Sequence, residues 1–348
     1  MSKIIFNDGT EIEDYKTTYV VAEVNSSHNG DIEVAKRMID AAKDAGCDCV
    51  KFQSWTTDTL YSKTYYDQNP IAKRFVDKLS LSADELADVS QYCKMKKIGF
   101  SSTPYSKEEV DFLVEQDVPF IKISSMEINN LEYLEYIGSK GIPIVLSTGM
   151  ADEKEIERAV KIIHDTGNDN LALLHCVSIY PADVKTINLN NIIGLRKKYP
   201  ECAIGFSDHT LGEAAAIAAT ALGASIIEKH LTLDSKKIGM DNQMAMEPDQ
   251  LKSLVQNCRN VRLALGSEQR TVLPEEYEQR KKMRRSIVAA RDLRIGETIQ
   301  HSDLIAKRPG DGISPDMIQS LIGYVVTSEI KKDTVVGYDS IKKPNNAI

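Results

Sequence analysis

Short apolar runs alternate with amphipathic stretches along the first three-quarters of the chain. The runs are Thr18–Val24, Cys49–Gln53, Ile98–Ser102, Pro119–Ser124, Pro143–Ser147, Leu171–Cys176, Ala203–Phe206 and Ala224–Glu228. Between them lie helical stretches such as Ile32–Ala45, Asp84–Lys97, Lys107–Gln116, Glu153–Asp165 and Leu211–Leu222. Eight buried strands alternating with helices over roughly 260 residues predict an α/β fold, a (β/α)8 TIM barrel rather than an open sheet. Residues 3–17 read as a short hairpin around Asn7-Asp8-Gly9, whose Asp-Gly pair favours a tight turn. The one long connection within the barrel, Ser54 to Ser82, carries Trp55, Tyr61, Tyr65 and Tyr66. It reads as a loop, equally a wall or lid of a site and a packed surface excursion.

The pattern changes after Gly266. Residues 267–285 are rich in Glu, Gln, Lys and Arg and read as a linker helix or extended arm. From Ser286 onward short strands and turns follow one another, as in Ser286–Ala290, Arg294–Glu297, Lys307–Gly312 and Thr334–Gly337. The chain therefore divides into a barrel over 1–266, a linker over 267–285 and a small β-rich domain over 286–348. A domain of roughly 60 residues is marginal alone and is expected to pack on something.

Composition narrows the partners. A formal net charge of −8 over 348 residues argues against nucleic acid or an acidic membrane as partner. An anionic substrate would need a local cationic pocket. No run approaches transmembrane length, and the N-terminus lacks the apolar core of a signal peptide. The six cysteines are scattered, and the close pair, Cys47 and Cys49, is separated by a single residue. Neither a zinc motif nor a disulfide framework is visible, which fits a reducing cytoplasm. The absence of a P-loop, a G-x-G-x-x-G motif and a nucleophile elbow leaves nucleotide cofactors and a serine-hydrolase triad without support.

The chemistry of a TIM barrel lies at the carboxyl ends of its strands. Here those ends carry Glu23; Lys51 and Gln53; Ser102 and Thr103; Lys122, Ser124, Ser125 and Glu127; Ser147 and Thr148. They continue with His175, Ser178 and Tyr180; Ser207, Asp208 and His209; and Glu228, Lys229 and His230. A lone lysine in such a strand could be a structural ion pair, or could form a Schiff base. Two lysines within a ring of hydroxyls instead make an anion site suited to phosphate or carboxylate. The segment from Cys202 to His230 is a strand–helix–strand crossover, which makes its two strands parallel neighbours. His209 and His230 then sit side by side, a candidate divalent-metal site, although either one alone reads as an ordinary strand-end histidine.

In combination, Lys51-Phe52-Gln53, Phe100–Pro104, Lys122–Asn130, Leu146–Met150, Leu174-His175-Cys176, Tyr180-Pro181, Gly205–Thr210, Glu228–His230 and Lys307–Gly310 resemble the bacterial sialic acid synthase family. The resemblance spans nearly the whole chain. It implies a TIM barrel followed by a small antifreeze-like (SAF) domain, in a domain-swapped homodimer. It implies condensation of phosphoenolpyruvate with an N-acetylated amino sugar to a nine-carbon α-keto acid, with release of phosphate. By the same resemblance His209 and His230 bind a divalent cation, commonly manganese with magnesium or cobalt as alternatives, and Gln53 lies nearby. Lys51, Thr103, Lys122, Ser125, Ser147, Ser178 and Ser207 would hold phosphoenolpyruvate. Tyr180, Asp241 and Glu23 would face the sugar, and Arg308 would reach its N-acyl group from the partner subunit. Glu127 is the candidate for moving a proton, with pairing to Lys122 as its other reading, and Glu23 and Gln53 join it as catalytic candidates. Two positions depart from the family pattern. Ser27 stands where Asn is usual, and Ser178 stands where sialic acid synthases proper have Asn and relatives making other nonulosonates can have Ser. The acceptor is thus left open between N-acetylmannosamine and a diacetamido-trideoxyhexose. The neighbouring reading, a metal-dependent barrel synthase or aldolase acting on a phosphorylated sugar, is opposed by the SAF-like tail.

Overall fold

Each expected apolar run forms a strand of one parallel sheet. The strands are β1 (Tyr19–Glu23), β2 (Cys49–Gln53), β3 (Gly99–Thr103), β4 (Ile121–Ile123), β5 (Ile144–Ser147), β6 (Leu171–Cys176), β7 (Ala203–Asp208) and β8 (Ile226–His230). The computed structural model describes residues 3–237 and 239–344, so the outermost residues of both expected domains, 1–2 and 345–348, lie outside it. The hydrogen-bonded order is β3-β2-β1-β8-β7-β6-β5-β4. The two outer strands meet where the Ser101 hydroxyl donates to the Phe120 carbonyl at 2.8 Å, giving a nearly closed barrel. The chain forms two compact units, Met1–Gly266 and Ser267–Ile348.

The barrel helices are α1 (Ile32–Ala45), α5 (Ala83–Lys96), α6 (Lys107–Glu115), α7 (Leu131–Gly138), α8 (Glu153–Asp165), α9 (Asn190–Lys198), α10 (Ala214–Ala221) and α11 (Pro248–Leu265). Local chemistry sets their ends. Asp31 caps α1 by accepting from the Glu33 and Val34 amides, and Gly46 ends it at φ 87°, where a Cβ would be strained. Ser82 with Glu85, and Asp152 with Glu155, form capping boxes at the starts of α5 and α8. Their apolar stripes, such as Ala35, Met38, Ile39 and Ala42 of α1, cover the outside of the sheet.

The inside of the barrel is filled from below. The N-terminal hairpin, Lys3–Ile5 paired with Glu11–Glu13, inserts Ile4, Phe6 and Ile12 among Val21, Cys49, Val145, Ala172, Leu174 and Ile226. Phe6 packs on Phe120 at 4.7 Å and edge-on to Tyr19 at 5.3 Å between ring centroids. Polar groups therefore have only the upper end of the barrel. Gly205 lies within this plug: a Cβ there would run into the Leu174 side chain and the Ile226 carbonyl, the latter at 2.6 Å. Gly205→Ala is expected to destabilise the barrel by about 1–3 kcal/mol through overpacking. Urea unfolding checks this, as a lowered midpoint at unchanged slope.

The Ser54–Ser82 connection is not the expected loop. It folds into three short helices, α2 (Thr57–Leu60), α3 (Lys63–Gln68) and α4 (Pro70–Leu79), started by Thr56, Ser62 and the Asn69-Pro70 step. Trp55, Tyr66, Val76 and Leu79 give it a small core of its own, with Tyr105 packed against it. Tyr61 and Tyr65 stack on each other at 4.4 Å and stay partly exposed.

In the second unit, α12 (Pro274–Met283) occupies most of the charged stretch. Antiparallel pairs follow, β9 (Ser286–Ala289) with β10 (Leu304–Lys307) and β11 (Val325–Val326) with β12 (Ile341–Lys342). Ile287, Ala289, Leu293, Ile299, Leu304, Val326 and Val336 form its core.

Candidate active site

Strand alternation decides which side chains enter the barrel. In β8, Glu228 and His230 turn inward. Lys229 turns outward and is fully buried, where it donates to Asp208 at 2.7 Å and to the Thr210 carbonyl at 2.6 Å. Ser207 and His209 follow the inward phase of β7, as Lys51 and Gln53 do in β2. The result is a cavity of about 190 Å³ above the apolar plug. Glu23, Lys51, Gln53, Thr103, Lys122, Ser125, Ser147, Ser178, Tyr180, Ser207, His209, His230 and Asp241 all line it.

Charge inside this cavity is arranged around Glu228. Its carboxylate accepts from the Ser207 hydroxyl at 2.9 Å and lies 3.8 Å from the ammonium groups of both Lys51 and Lys122. Burial works to raise the Glu228 carboxyl, but Lys122 and Lys51 outweigh it and hold the group below its ordinary range. Glu23 stands beside Lys51 in register across β1 and β2 and forms an ion pair with it. Gln53 Nε2 donates to Glu23 at 2.9 Å. Burial nevertheless pushes the Glu23 carboxyl up, against the pull of Lys51. Gln53 is itself fixed by Trp55 Nε1 at 3.1 Å and the Tyr105 hydroxyl at 2.8 Å, so the helical excursion braces the site.

The lysines differ in their balance. Burial lowers Lys51, but Glu228 and Glu23 more than offset it and the net shift is upward. Lys122 donates to Ser147 Oγ at 2.8 Å and the Ile123 carbonyl at 3.1 Å. Burial lowers it overall despite Glu228. Lys122 is thus a buried cation short of counter-charge, which an incoming anion would supply.

His209 and His230 meet at the ends of β7 and β8, their rings 5.5 Å apart, with the Tyr180 ring 4.2 Å from His209. His209 Nδ1 lies 2.8 Å from the Val177 carbonyl, so the proton is assigned to Nδ1 and Nε2 keeps its lone pair. Burial, reinforced by the Lys51, Lys229 and Lys122 cations and by His209 whenever that ring is protonated, presses His230 well below its ordinary range, so it is neutral. Asp241, held by the Asn25 amide, lies 3.8 Å from His230 Nδ1. Two imidazole nitrogens beside the Asp241 carboxylate are a donor set that fits a divalent cation.

Glu127 and His175, among the expected contributors, lie outside the cavity. Glu127 is half-buried outside the cavity and accepts from Asn130 Nδ2 at 2.9 Å; Lys122 pairs with Ser147 and Glu228 instead. Neither expected role of Glu127 has geometric support, because the 3-10 turn Ser125–Glu127 carries it away from the end of β4. His175 faces outward and its Nε2 meets the Ile187 carbonyl at 2.6 Å. Arg308 is exposed in the second unit. Its loop is held by the Ser286 hydroxyl, which donates to the Pro309 carbonyl at 2.7 Å and accepts from the Gly312 amide at 2.8 Å. Glu228 and Cys176 line the cavity without having been singled out for roles. The signal for Glu228 was its two-residue spacing from His230, and for Cys176 its alternation with Leu174.

Comparison with known proteins follows this geometry. The NeuB family profile matches residues 38–270, and the SAF domain profile matches residues 284–342. The chain is 36% identical over 339 residues to the N,N'-diacetyllegionaminic acid synthase of Legionella pneumophila, covering 94% of this chain and 95% of that protein. It is 33% identical to the N-acetylneuraminate-9-phosphate synthase of Drosophila melanogaster, covering 93% of this chain and 96% of the other. The crystal structure of an N-acetylneuraminic acid (sialic acid) synthetase from Leptospira borgpetersenii, in complex with citrate, superposes with a TM-score of 0.74. That alignment has 34% identity and covers 80% of this chain and 95% of that one.

Proposed function

The chain belongs to the NeuB family and carries a SAF domain, and from that premise we propose that it is a nonulosonate synthase. It condenses phosphoenolpyruvate with the open-chain form of an N-acetylated amino sugar, takes up one water, and releases a nine-carbon α-keto acid and inorganic phosphate. The observation that carries this reading is the pairing, in one cavity, of a two-lysine anion pocket with two convergent imidazoles.

Lys51 and Lys122, with the hydroxyls of Thr103, Ser125, Ser147, Ser178 and Ser207, hold the phosphate and carboxylate of phosphoenolpyruvate. Tyr180 and Asp241 face the sugar. His209 and His230 hold a divalent cation, Mn2+ before Mg2+ or Co2+, which when bound supplies Lewis-acid polarisation of the sugar aldehyde. C3 of phosphoenolpyruvate forms the new C–C bond, water adds at C2, and the C2–O bond to phosphate breaks. With Glu127 turned away, Glu23 becomes the proton carrier: its raised carboxyl lies within reach of Lys51 and Gln53. The test is a panel of N-acetylmannosamine, its 6-phosphate and 2,4-diacetamido-trideoxyhexoses, read by phosphate release and keto-acid formation. Turnover only with the phosphate ester favours the phosphorylated-sugar reading. No release with any acceptor removes the proposal.

The working form is a domain-swapped homodimer in which Arg308 of one chain serves the cavity of its partner. The guanidinium beside a fixed Pro-Gly turn is a suitable donor to an amide carbonyl. Mixing inactive His209→Ala chains with inactive Arg308→Ala chains is expected to restore activity once subunit exchange is shown independently. A mixture that stays inactive after exchange means that each chain supplies its own arginine. A cytoplasmic location suits six cysteines that are buried and scattered through the barrel. No helix among the described residues is long and apolar enough to cross a membrane.

A further inference from the structure

We propose that His164, Glu201 and Cys202 form a second cation site, for a soft divalent ion such as Zn2+, at the end of the barrel opposite the substrate cavity. Their ligand atoms all lie within 4.8 Å of one another. Cys202 immediately precedes β7, so it lies at the amino end of the strand whose carboxyl end leads to His209. His164 is in the last turn of α8, which runs back down the barrel.

The trio is more than a chance cluster. His164 Nδ1 bonds Asp169 Oδ1 at 3.1 Å, and this leaves Nε2 aimed at Cys202 Sγ, 3.9 Å away. A carboxylate behind the distal imidazole nitrogen is the usual orienting device for a metal-binding histidine. In a tetrahedral zinc site with ordinary Zn–S and Zn–N lengths, sulfur and nitrogen stand about 3.5 Å apart, so only a small approach is needed. Glu201 is exposed and gives the ion a path from water, while Cys202 is buried at the inner edge. The fourth position is left to water.

Position separates this site from the substrate cavity, because Cys202 precedes β7 and His209 follows it. Thiolate, imidazole and carboxylate together select Zn2+ over Mg2+ or Mn2+; the substrate cavity carries a thiol of its own, Cys176, so the test must tell the two sulfurs apart. On binding, the Cys202 sulfur gains a bond to the ion and its proton passes to solvent. The bound ion then pins the last turn of α8 to the start of β7.

Cobalt titration of the metal-free full-length protein tests the proposal. Thiolate coordination gives a near-ultraviolet charge-transfer band, which is expected in the native chain, to disappear on adding Zn2+, and to be absent in Cys202→Ser. It should survive in Cys176→Ser, the control for the thiol beside His209. His164→Gln and Glu201→Gln change partly exposed positions and keep the test decisive should Cys202→Ser fail to fold. Each should weaken Co2+ binding at this band about 10- to 100-fold. No band in the native chain, a band that follows Cys176, or unchanged affinity in both glutamine variants overturns the proposal.

Discussion

His209→Ala and His230→Ala are each expected to lower turnover about 10³-fold or more without unfolding the barrel. Lewis-acid stabilisation by a bound divalent cation is worth several kcal/mol, and each 1.36 kcal/mol is about tenfold in rate. Each variant keeps one imidazole, so weak binding of the ion persists, but the convergent pair that fixes its position is gone. The effect should be confined to chemistry. His230 is neutral, so its removal strands no buried charge, and His209 gives up a hydrogen bond to the Val177 carbonyl. Chelator-stripped native enzyme should regain activity on titration with Mn2+, and neither variant should regain it in the same range. Bound metal per chain, measured alongside phosphate release, separates failure to bind from failure to react. Full turnover of the native enzyme in chelator would remove the metal from the mechanism.

Much of this molecule was legible as a sequence, for reasons that particular residues make plain. The barrel strands are apolar runs buried on both faces, and the crossover from Cys202 to His230 left no other way to arrange His209 and His230 than as neighbours. Strand alternation placed Lys51 with Gln53, and applied to Glu228 and His230 it would have set Glu228 inward and Lys229 outward as well. It stops working where the strand stops. Glu127 lies beyond β4 in a 3-10 turn, so its direction depends on local turn geometry and on Asn130. The Ser54–Ser82 connection was misread because two of its three helices, α2 and α3, are only 4 and 6 residues long, too short to show a helical period. Their start signals, Thr56, Ser62 and Pro70, were present, and what stabilises them is the tertiary core around Trp55 and Tyr66. The trio at the barrel base could not be found by spacing, because His164 and Cys202 come from separate elements and meet only when the end of α8 comes beside the residue that precedes β7.

Lys122→Ala should cut kcat/KM for phosphoenolpyruvate by about 10²- to 10³-fold, chiefly through KM, at nearly unchanged stability. Lys51→Ala should lose both activity and stability. The two lysines sit in the same cavity, but their partners differ. Lys51 is paired with Glu23 and lies 3.8 Å from Glu228, so removing it leaves two carboxylates facing each other in a buried space. Breaking a buried pair in this way costs about 3–5 kcal/mol, which a thermal melt reads as a clear fall in Tm. Lys122 has one distant carboxylate, Glu228, and otherwise neutral partners in Ser147 and the Ile123 carbonyl. Burial already disfavours its charge, so its loss relieves a desolvated cation and offsets the weakened neutralisation of Glu228. The incoming phosphate or carboxylate is the counter-charge that Lys122 lacks. Truncating one partner of such a buried, hydrogen-bonded charge pair costs about 2–5 kcal/mol in binding. Melts and steady-state kinetics on both variants therefore distinguish a substrate-binding lysine from a structural one. If Lys122→Ala melts as low as Lys51→Ala while its KM stays normal, Lys122 is a structural ion-pair partner and the anion is held elsewhere.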